Sequence, residues 1–561
     1  MVLPRLTLKH FFEYCTTNYG KEKALSFVDG EPFSYSELYD KVQYVSGFLQ
    51  KSGIRAGDRV AILGENSPNW VVAYFAITTM GAIVVPILPD FLPDQVQHIL
   101  HHSNSKALFI SEKQYEKNLE AEFDAHLRIY LLNTFSEIRP RTPIDKLKEM
   151  LRDSGKELAK LKIAALKLAK RYFNDVMEDD VASIIYTSGT TGHSKGVMLT
   201  HKNLVSNAIA SAQIQPIQPG DRMLSVLPLS HTYECTVGLL VAFTGGACTY
   251  YFEKPPSPNL LVEAMKKIKP TVMLTVPLII EKVYKNRILP QFQKNAIIKS
   301  MYKNDFLRKK LHKLAGKKLY KSFGGCLHFF GIGGAKLATE VEQFLKDAEF
   351  PYAIGYGLTE TSPLLAGAGP TQTRVGSTGP AAPGVQLKIN SPDPYSQEGE
   401  ILAKGPNVMK GYYNDPELTA QVFTRDGWFR TGDLGIFDKD DFLYIKGRLK
   451  NVLIGPSGEN IYPEEIETQI NACDYVVESL VYYDQGKIAA RVHLNYPSLD
   501  RDFKVSGELE LKKKIEELLK RIQQQVNKKL TGFSRINKII EQTEPFEKTP
   551  TQKIKRFLYI R

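Results

Sequence analysis

Cysteine is scarce: Cys15, Cys235, Cys248, Cys326 and Cys473 are scattered over 561 residues, odd in number and never spaced as CxxC. That argues against a disulfide framework and a structural zinc site and fits a reducing compartment. Long apolar runs are lacking as well. The longest, residues 71–88, holds Thr78, Thr79, Gly81 and Pro86, so it reads as a core helix ending near Gly81 and then a buried strand, not as a membrane span. No basic-then-apolar leader opens the chain, whose start MVLPRLTLKHFFEY reads as strand or turn followed by helix. An acidic excess is missing too: 73 Lys and Arg face 61 Asp and Glu, and the net charge of +12 suits an anionic partner such as a nucleotide or a phospholipid surface. The basic stretches carry neither aromatic interleaving nor a nucleic-acid motif, so no nucleic acid is expected as a partner. The expected location is the cytoplasm, with peripheral attachment to an inner membrane face left open.

What the chain does contain is concentrated in residues 181–200, VASIIYTSGTTGHSKGVMLT. A run with the length and β-branched content of a buried strand ends abruptly in Gly, Ser and Thr around one lysine. In Thr187, Ser188, Gly189, Thr190, Thr191 and Gly192 the glycines let backbone N–H groups turn toward an anion and the hydroxyls add donors, while Lys195 supplies a point charge. This is the chemistry of a polyphosphate cradle. The spacing is not G-x-x-x-x-G-K-[ST], and no helical pattern begins at the lysine, so it is not the ordinary P-loop.

Length suggests three or four units of roughly 150 residues. From residue 7 to about 140, helical and strand patterns alternate: 35–51 helix, 58–63 strand, 70–80 helix, 82–88 strand. Alternation of this kind predicts a mainly parallel α/β sheet with ligands at the strand carboxyl ends. Residues 146–172 form a basic amphipathic helix on the wheel, which either packs its apolar side on the body or adsorbs to an anionic membrane surface. The basic stretch 282–321 poses the same choice. In GYGLTET, residues 355–361, an aromatic, a hydroxyl and a carboxylate can stack on a base, hold a phosphate oxygen and bind a divalent cation. Beyond residue 375 short strands rich in Gly and Pro suggest a small β-rich subdomain, and residues 509–530 a charged helix.

Seven segments then occur in one order: YTSGTTGHSKGVMLTH, LPLSHTYE, YGLTETSP, GEILAKGPNVMKGYYNDPELT, DGWFRTGDLG, GRLKNVLIGPSGENIYPEEIE and TPTQKIKR. In order and spacing they resemble the AMP-forming acyl-CoA synthetases of the adenylate-forming superfamily, most closely the long-chain fatty-acid branch. The resemblance covers the chain from about Tyr186 to its end. It implies an α/β fold with a large N-terminal adenylation domain, 1–449, whose β-rich subdomain spans about 375–449, and a small mobile α+β C-terminal domain, 450–561. It further implies that the loop from Thr187 to Lys195 cradles ATP phosphates, that Gly333, Gly334, Ala335, Tyr356 and Gly357 flank adenine, and that Thr359 touches phosphate. Glu360 would hold Mg²⁺, Asp433 and Arg448 the ribose. Lys450 would be the hinge, Gly458 would line the CoA path, and Lys553 would be the catalytic lysine. Gln552 stands where the family often has glycine, so the loop around Lys553 is open to a different placement. His231 is an acyl-pocket candidate or a satisfied core histidine.

The implied activity is ATP-dependent conversion of a long-chain fatty acid to acyl-AMP with release of pyrophosphate, then transfer to CoA. Both the carboxylate and the α-phosphate are anionic, so positive charge must be set between them. Alternatives are an acyl-AMP ligase that loads a carrier protein, and a non-catalytic nucleotide-binding or membrane-scaffolding homologue. The intact Lys195, Glu360, Asp433, Arg448 and Lys553 count against the last.

Overall fold

A computed structural model describes residues 1–119, 123–124, 126–138, 175–188, 194–455, 459–484, 486–503, 508–549 and 553–560. The predicted helix 146–172, Gly189 to Gly192 and Gly458 lie outside them. The described residues fall into two compact units, one drawn from 1–387 with 403–429, the other from Lys388–Leu402 with Arg430–Arg561.

The first unit holds two eight-stranded sheets. One runs Leu364–Gly367, Tyr352–Gly357, Phe329–Ile332, Val272–Thr275, Arg222–Leu224, Cys248–Tyr251, Lys23–Phe27, Phe33–Ser34. The other runs Gly411–Tyr412, Ser194–Thr200, Val181–Ser188, Ile83–Ile87, Arg59–Leu63, Ala107–Ile110, Arg128–Leu131, Glu137–Ile138. Both are parallel in the middle and antiparallel toward their ends. The parallel strands are apolar without alternation because both of their faces are covered. In Arg59–Leu63, Val60 and Ile62 join one core, while Ala61 and Leu63 join another on the opposite face.

The helix after it, Pro68–Thr79, is capped by Ser67 and starts on Pro68. It buries every residue but Asn69, as expected of a helix that is apolar all round. Gly81, at φ +82°, turns the chain into the buried strand Ile83–Ile87, so the long apolar run divides as predicted. Among the described residues no helix is long and apolar enough to cross a membrane.

The second unit contains a four-stranded sheet, Gln386–Asn390, Gly399–Lys404, Phe429–Phe437 and Leu443–Arg448. It also contains a three-stranded sheet, Val476–Asp484, Lys487–Leu494 and Lys538–Glu541. Helices Pro463–Asn471 and Glu508–Asn527 share a core with the latter, through Ile466, Ile470, Leu518 and Ile522 against Val481, Ala490 and Val492. The short strands expected beyond residue 375 form the four-stranded sheet, except Gly411–Tyr412, which leaves to pair with Ser194–Thr200.

Candidate active site

The strands on either side of the glycine-rich segment pair with each other. Val181–Ser188 and Ser194–Thr200 pair antiparallel, with Thr187 opposite Lys195 and Ser188 opposite Ser194. The lysine therefore returns on a strand rather than opening a helix, which is why P-loop spacing does not apply. Gly196 is required by close approach: a Cβ there would lie 2.9 Å from Ile184 Cγ2 and 3.2 Å from Tyr413 Cβ.

Lys195 Nζ lies 4.8 Å from the centroid of the Tyr412 ring, within cation–π range. The Tyr412 hydroxyl donates to Glu360 Oε1 at 2.9 Å. Met409 N donates to the Glu360 carbonyl at 2.8 Å, fixing the backbone beneath that carboxylate. Lys195 and Glu360, predicted from segments far apart in sequence, are thus joined through one tyrosine. Tyr412 was missed as a site residue although it lies in the GYYND segment. The glycine before it takes φ +146° in the fold.

Glu360 sits in a short helical turn, Thr359–Thr361, after the strand Tyr352–Gly357. Thr361 Oγ1 accepts from Leu358 N at 3.0 Å and donates to Pro363 O at 2.6 Å. Gly357 passes so close to Pro363 that a Cβ would fall 1.8 Å from its carbonyl oxygen. Tyr356 and Thr359 are half-buried at the carboxyl end of the same sheet. Gly333, Gly334 and Ala335 follow the neighbouring strand Phe329–Ile332, with Gly334 at φ +87° and a Gly333 Cβ position 3.1 Å from the Tyr233 ring.

In the second unit Asp433 and Arg448 face each other across antiparallel strands. Arg448 Nε meets Asp433 Oδ1 at 2.8 Å, and the carboxylate is buried. Lys450 lies exposed in the short helix Leu449–Asn451. Lys553 is exposed, on a loop closed by Thr549 N donating to Lys553 O at 2.8 Å and Lys553 N to Thr549 Oγ1 at 3.2 Å.

The sequence profile described as AMP-binding enzyme matches residues 12–413. The chain belongs to that family. A curated relative of this AMP-binding enzyme, the long-chain-fatty-acid–CoA ligase FadD15 of Mycobacterium bovis, is 30% identical over 80% of this chain and 75% of its own. The chloroplastic long-chain-fatty-acid–[acyl-carrier-protein] ligase AEE15 of Arabidopsis thaliana is 28% identical over 84% of this chain and 73% of its own. Among solved structures, an ATP-bound RpMatB-BxBclM chimera superposes with a TM-score of 0.75 at 25% identity, covering 98% of both chains.

The AMP-binding enzyme also contains a clamp that sequence did not disclose. Asn66, in the loop after Arg59–Leu63, donates to Leu227 O at 2.6 Å and to Ser225 Oγ at 3.0 Å, and accepts from Leu229 N at 2.8 Å. Ser225 Oγ in turn donates to Glu234 Oε1 at 2.5 Å. The clamp holds the turn leading to His231, whose Nδ1 accepts from Tyr233 N at 3.2 Å, leaving the ring proton on Nε2. From Tyr233 the helix continues past Val237 and Val241, which with Met223, Val272 and Phe329 line a cavity of about 30 Å³.

Burial raises the Glu234 carboxyl to about 8 against the Ser225 bond that lowers it, so it is neutral at pH 7. Its contribution is fully present below the unfolded value near 4.5 and is lost as pH rises through about 8, at roughly 1.4 kcal/mol per unit. Glu234→Gln keeps the acceptor and cannot ionise. Its melting temperature relative to the parent protein is therefore expected to rise from pH 5 to pH 8, as measured by calorimetry. A difference that is flat with pH would mean that Glu234 is ionised in the fold.

Proposed function

We propose that this AMP-binding enzyme activates a long-chain fatty acid with ATP and passes the acyl group to CoA. The observation that carries the reading is the run Lys195–Tyr412–Glu360, in which one tyrosine meets the cation with its ring and the carboxylate with its hydroxyl. The family match and the names of the curated relatives support it.

In the first step a carboxylate oxygen attacks the α-phosphorus and pyrophosphate leaves. In the second, the CoA sulfur attacks the acyl carbon and AMP leaves. Lys195 would hold the departing pyrophosphate, Thr359 a phosphate oxygen, and Lys553 would face the charge that builds at the α-phosphorus. Asp433 would accept from the ribose hydroxyls, with its orientation set by Arg448. Glu360 fits Mg²⁺, a hard cation that takes one or two carboxylates together with substrate phosphates, and Tyr412 orients the oxygens. When bound, that ion supplies charge neutralisation. Lys450 would be the hinge about which the C-terminal residues exchange roles between the two steps, with Gly458 at the CoA path.

The test is an acid-dependent assay of pyrophosphate release and thioester formation over a series of carboxylates, run with CoA and with acyl carrier protein. Thioester with CoA is expected. Product only with the carrier would favour the second reading, the activity that the name of AEE15 gives that relative. No acid-dependent pyrophosphate would reject catalysis altogether.

A further inference from the structure

Two consecutive helices, Ala296–Lys303 and Asp305–Ser322, form one surface of the first unit. Each is capped by an asparagine: Asn295 Oδ1 accepts from Ile298 N at 2.8 Å, and Asn304 Oδ1 from Phe306 N and Leu307 N at 3.1 Å. They are tied to each other and to the body through Tyr302, whose hydroxyl lies 3.2 Å from both His312 Nε2 and Tyr284 Oη. The second helix buries His312, Ala315, Gly316 and Leu319, and Gly316 packs so tightly that a Cβ would lie 2.4 Å from Ala348 Cβ. Its inner face is therefore fully used.

The outer face is of another kind. At about 100° per residue, positions 306, 310, 313, 314, 317 and 321 share one side. They are Phe306, Lys310, Lys313, Leu314, Lys317 and Lys321, all exposed. Phe306 is 66% exposed and Leu314 61%, and Ile297, on a helix that buries no residue, is 72% exposed. Residues 296–322 carry eight lysines and one arginine against the single carboxylate of Asp305. Two of these cations meet acids: Arg308 pairs with Asp305 at 3.0 Å, and Lys313 with Glu349 at 2.6 Å. Lys310 Nζ lies 4.4 Å from the Phe306 ring centroid, so charge and apolar surface share one strip.

A merely solvated face has no use for three large apolar side chains each about two-thirds exposed, and nucleic acid has none for Ile297 and Leu314. Lysines flanking exposed Phe, Leu and Ile are the composition of a helix lying in the headgroup region of a bilayer. We infer that residues 296–322 are the surface by which this chain docks on anionic phospholipid membranes, the lysines meeting headgroup phosphates and Ile297, Phe306 and Leu314 entering the interface. It rests on the proposed function only for its purpose, since a long-chain acid partitions into bilayers and would be collected there.

The experiment uses the full chain and phosphatidylcholine vesicles with and without phosphatidylglycerol, read by co-sedimentation. Lys310→Gln, Lys317→Gln and Lys321→Gln together are expected to weaken partitioning to the anionic vesicles at least about tenfold, each lysine near such a surface contributing on the order of a tenfold factor or somewhat less. Ile297→Ser, Phe306→Ser and Leu314→Ser together are expected to bind at low salt and to be released at high salt, where screening removes the charge term. Both variants should keep pyrophosphate release with a water-soluble acid such as octanoate, which shows that they fold. The inference is overturned if the parent protein does not prefer anionic vesicles, if the variants bind like the parent, or if binding is lost only on deleting residues 146–172. Absence of pyrophosphate release in the parent with every acid of the carboxylate series would instead strike the catalytic reading and leave the vesicle result standing; folding of the variants would then be read from their melting.

Discussion

Lys553→Ala is expected to lower acid-dependent pyrophosphate release by about a hundred- to a thousandfold, the range for losing one preorganised charge at a transition state. Transfer of supplied acyl-AMP to CoA should continue near the parent rate. The substitution keeps the two bonds that close the loop, Thr549 N to Lys553 O and Lys553 N to Thr549 Oγ1, because both use the backbone of residue 553. Ile554 beyond it packs with Leu480, Tyr482 and Phe546, so the loop keeps its anchor. Single-turnover measurement of the two half-reactions separates the outcomes. If both fall together, Lys553 does not divide the steps. If neither falls, the positive charge at the α-phosphorus comes from another group.

The second large effect is expected at Glu360. Glu360→Gln keeps shape and the bond from Tyr412 but removes the charge, and pyrophosphate release should fall by about a hundredfold or more, with a raised Mg²⁺ requirement in a titration. Tyr412→Phe keeps the ring under Lys195 and removes only the hydroxyl that orients Glu360 Oε1. A hydrogen bond to a charged group is worth about 1.5–3 kcal/mol, so a fall of about ten- to a hundredfold is the ceiling for this change, and it should be smaller than that of Glu360→Gln. A Tyr412→Phe enzyme as impaired as Glu360→Gln would mean that the hydroxyl meets substrate directly.

Much of this was legible in the sequence because local chemistry and tertiary demand agree. The helix read over 35–51 is Tyr35–Lys51, since Ser34 and Glu37 form a capping box and the apolar period does the rest. The strand read as ending at Tyr186 continues through Ser188 because Thr187 and Ser188 are paired by the return strand, and pairing is not a property of the residues that receive it. The same limit hid Tyr412, which becomes a site residue only by lying beside Met198 and Val197. Asn66 and Glu234 were hidden for a related reason: an asparagine in a loop and a glutamate at a helix start read as solvated, and only the fold shows the first clamping a distant turn and the second buried at 1% exposure. Asp433 and Arg448 were named as separate ligands, and their mutual bond follows from a register that the sequence does not display.

The two-residue strand Gly411–Tyr412 has a consequence for synthesis. It pairs with residues 197–198, so the outer flank of Ser194–Thr200 waits for a partner more than two hundred positions later in the chain (411 against 198). Contacts of such long sequence separation form late, and at a few to some twenty residues per second the ribosome leaves that flank uncovered for on the order of ten seconds or more. A nascent chain halted before residue 411 would carry the glycine-rich segment and Lys195 without the ring that seats the cation, and ought not to be retained on immobilised nucleotide.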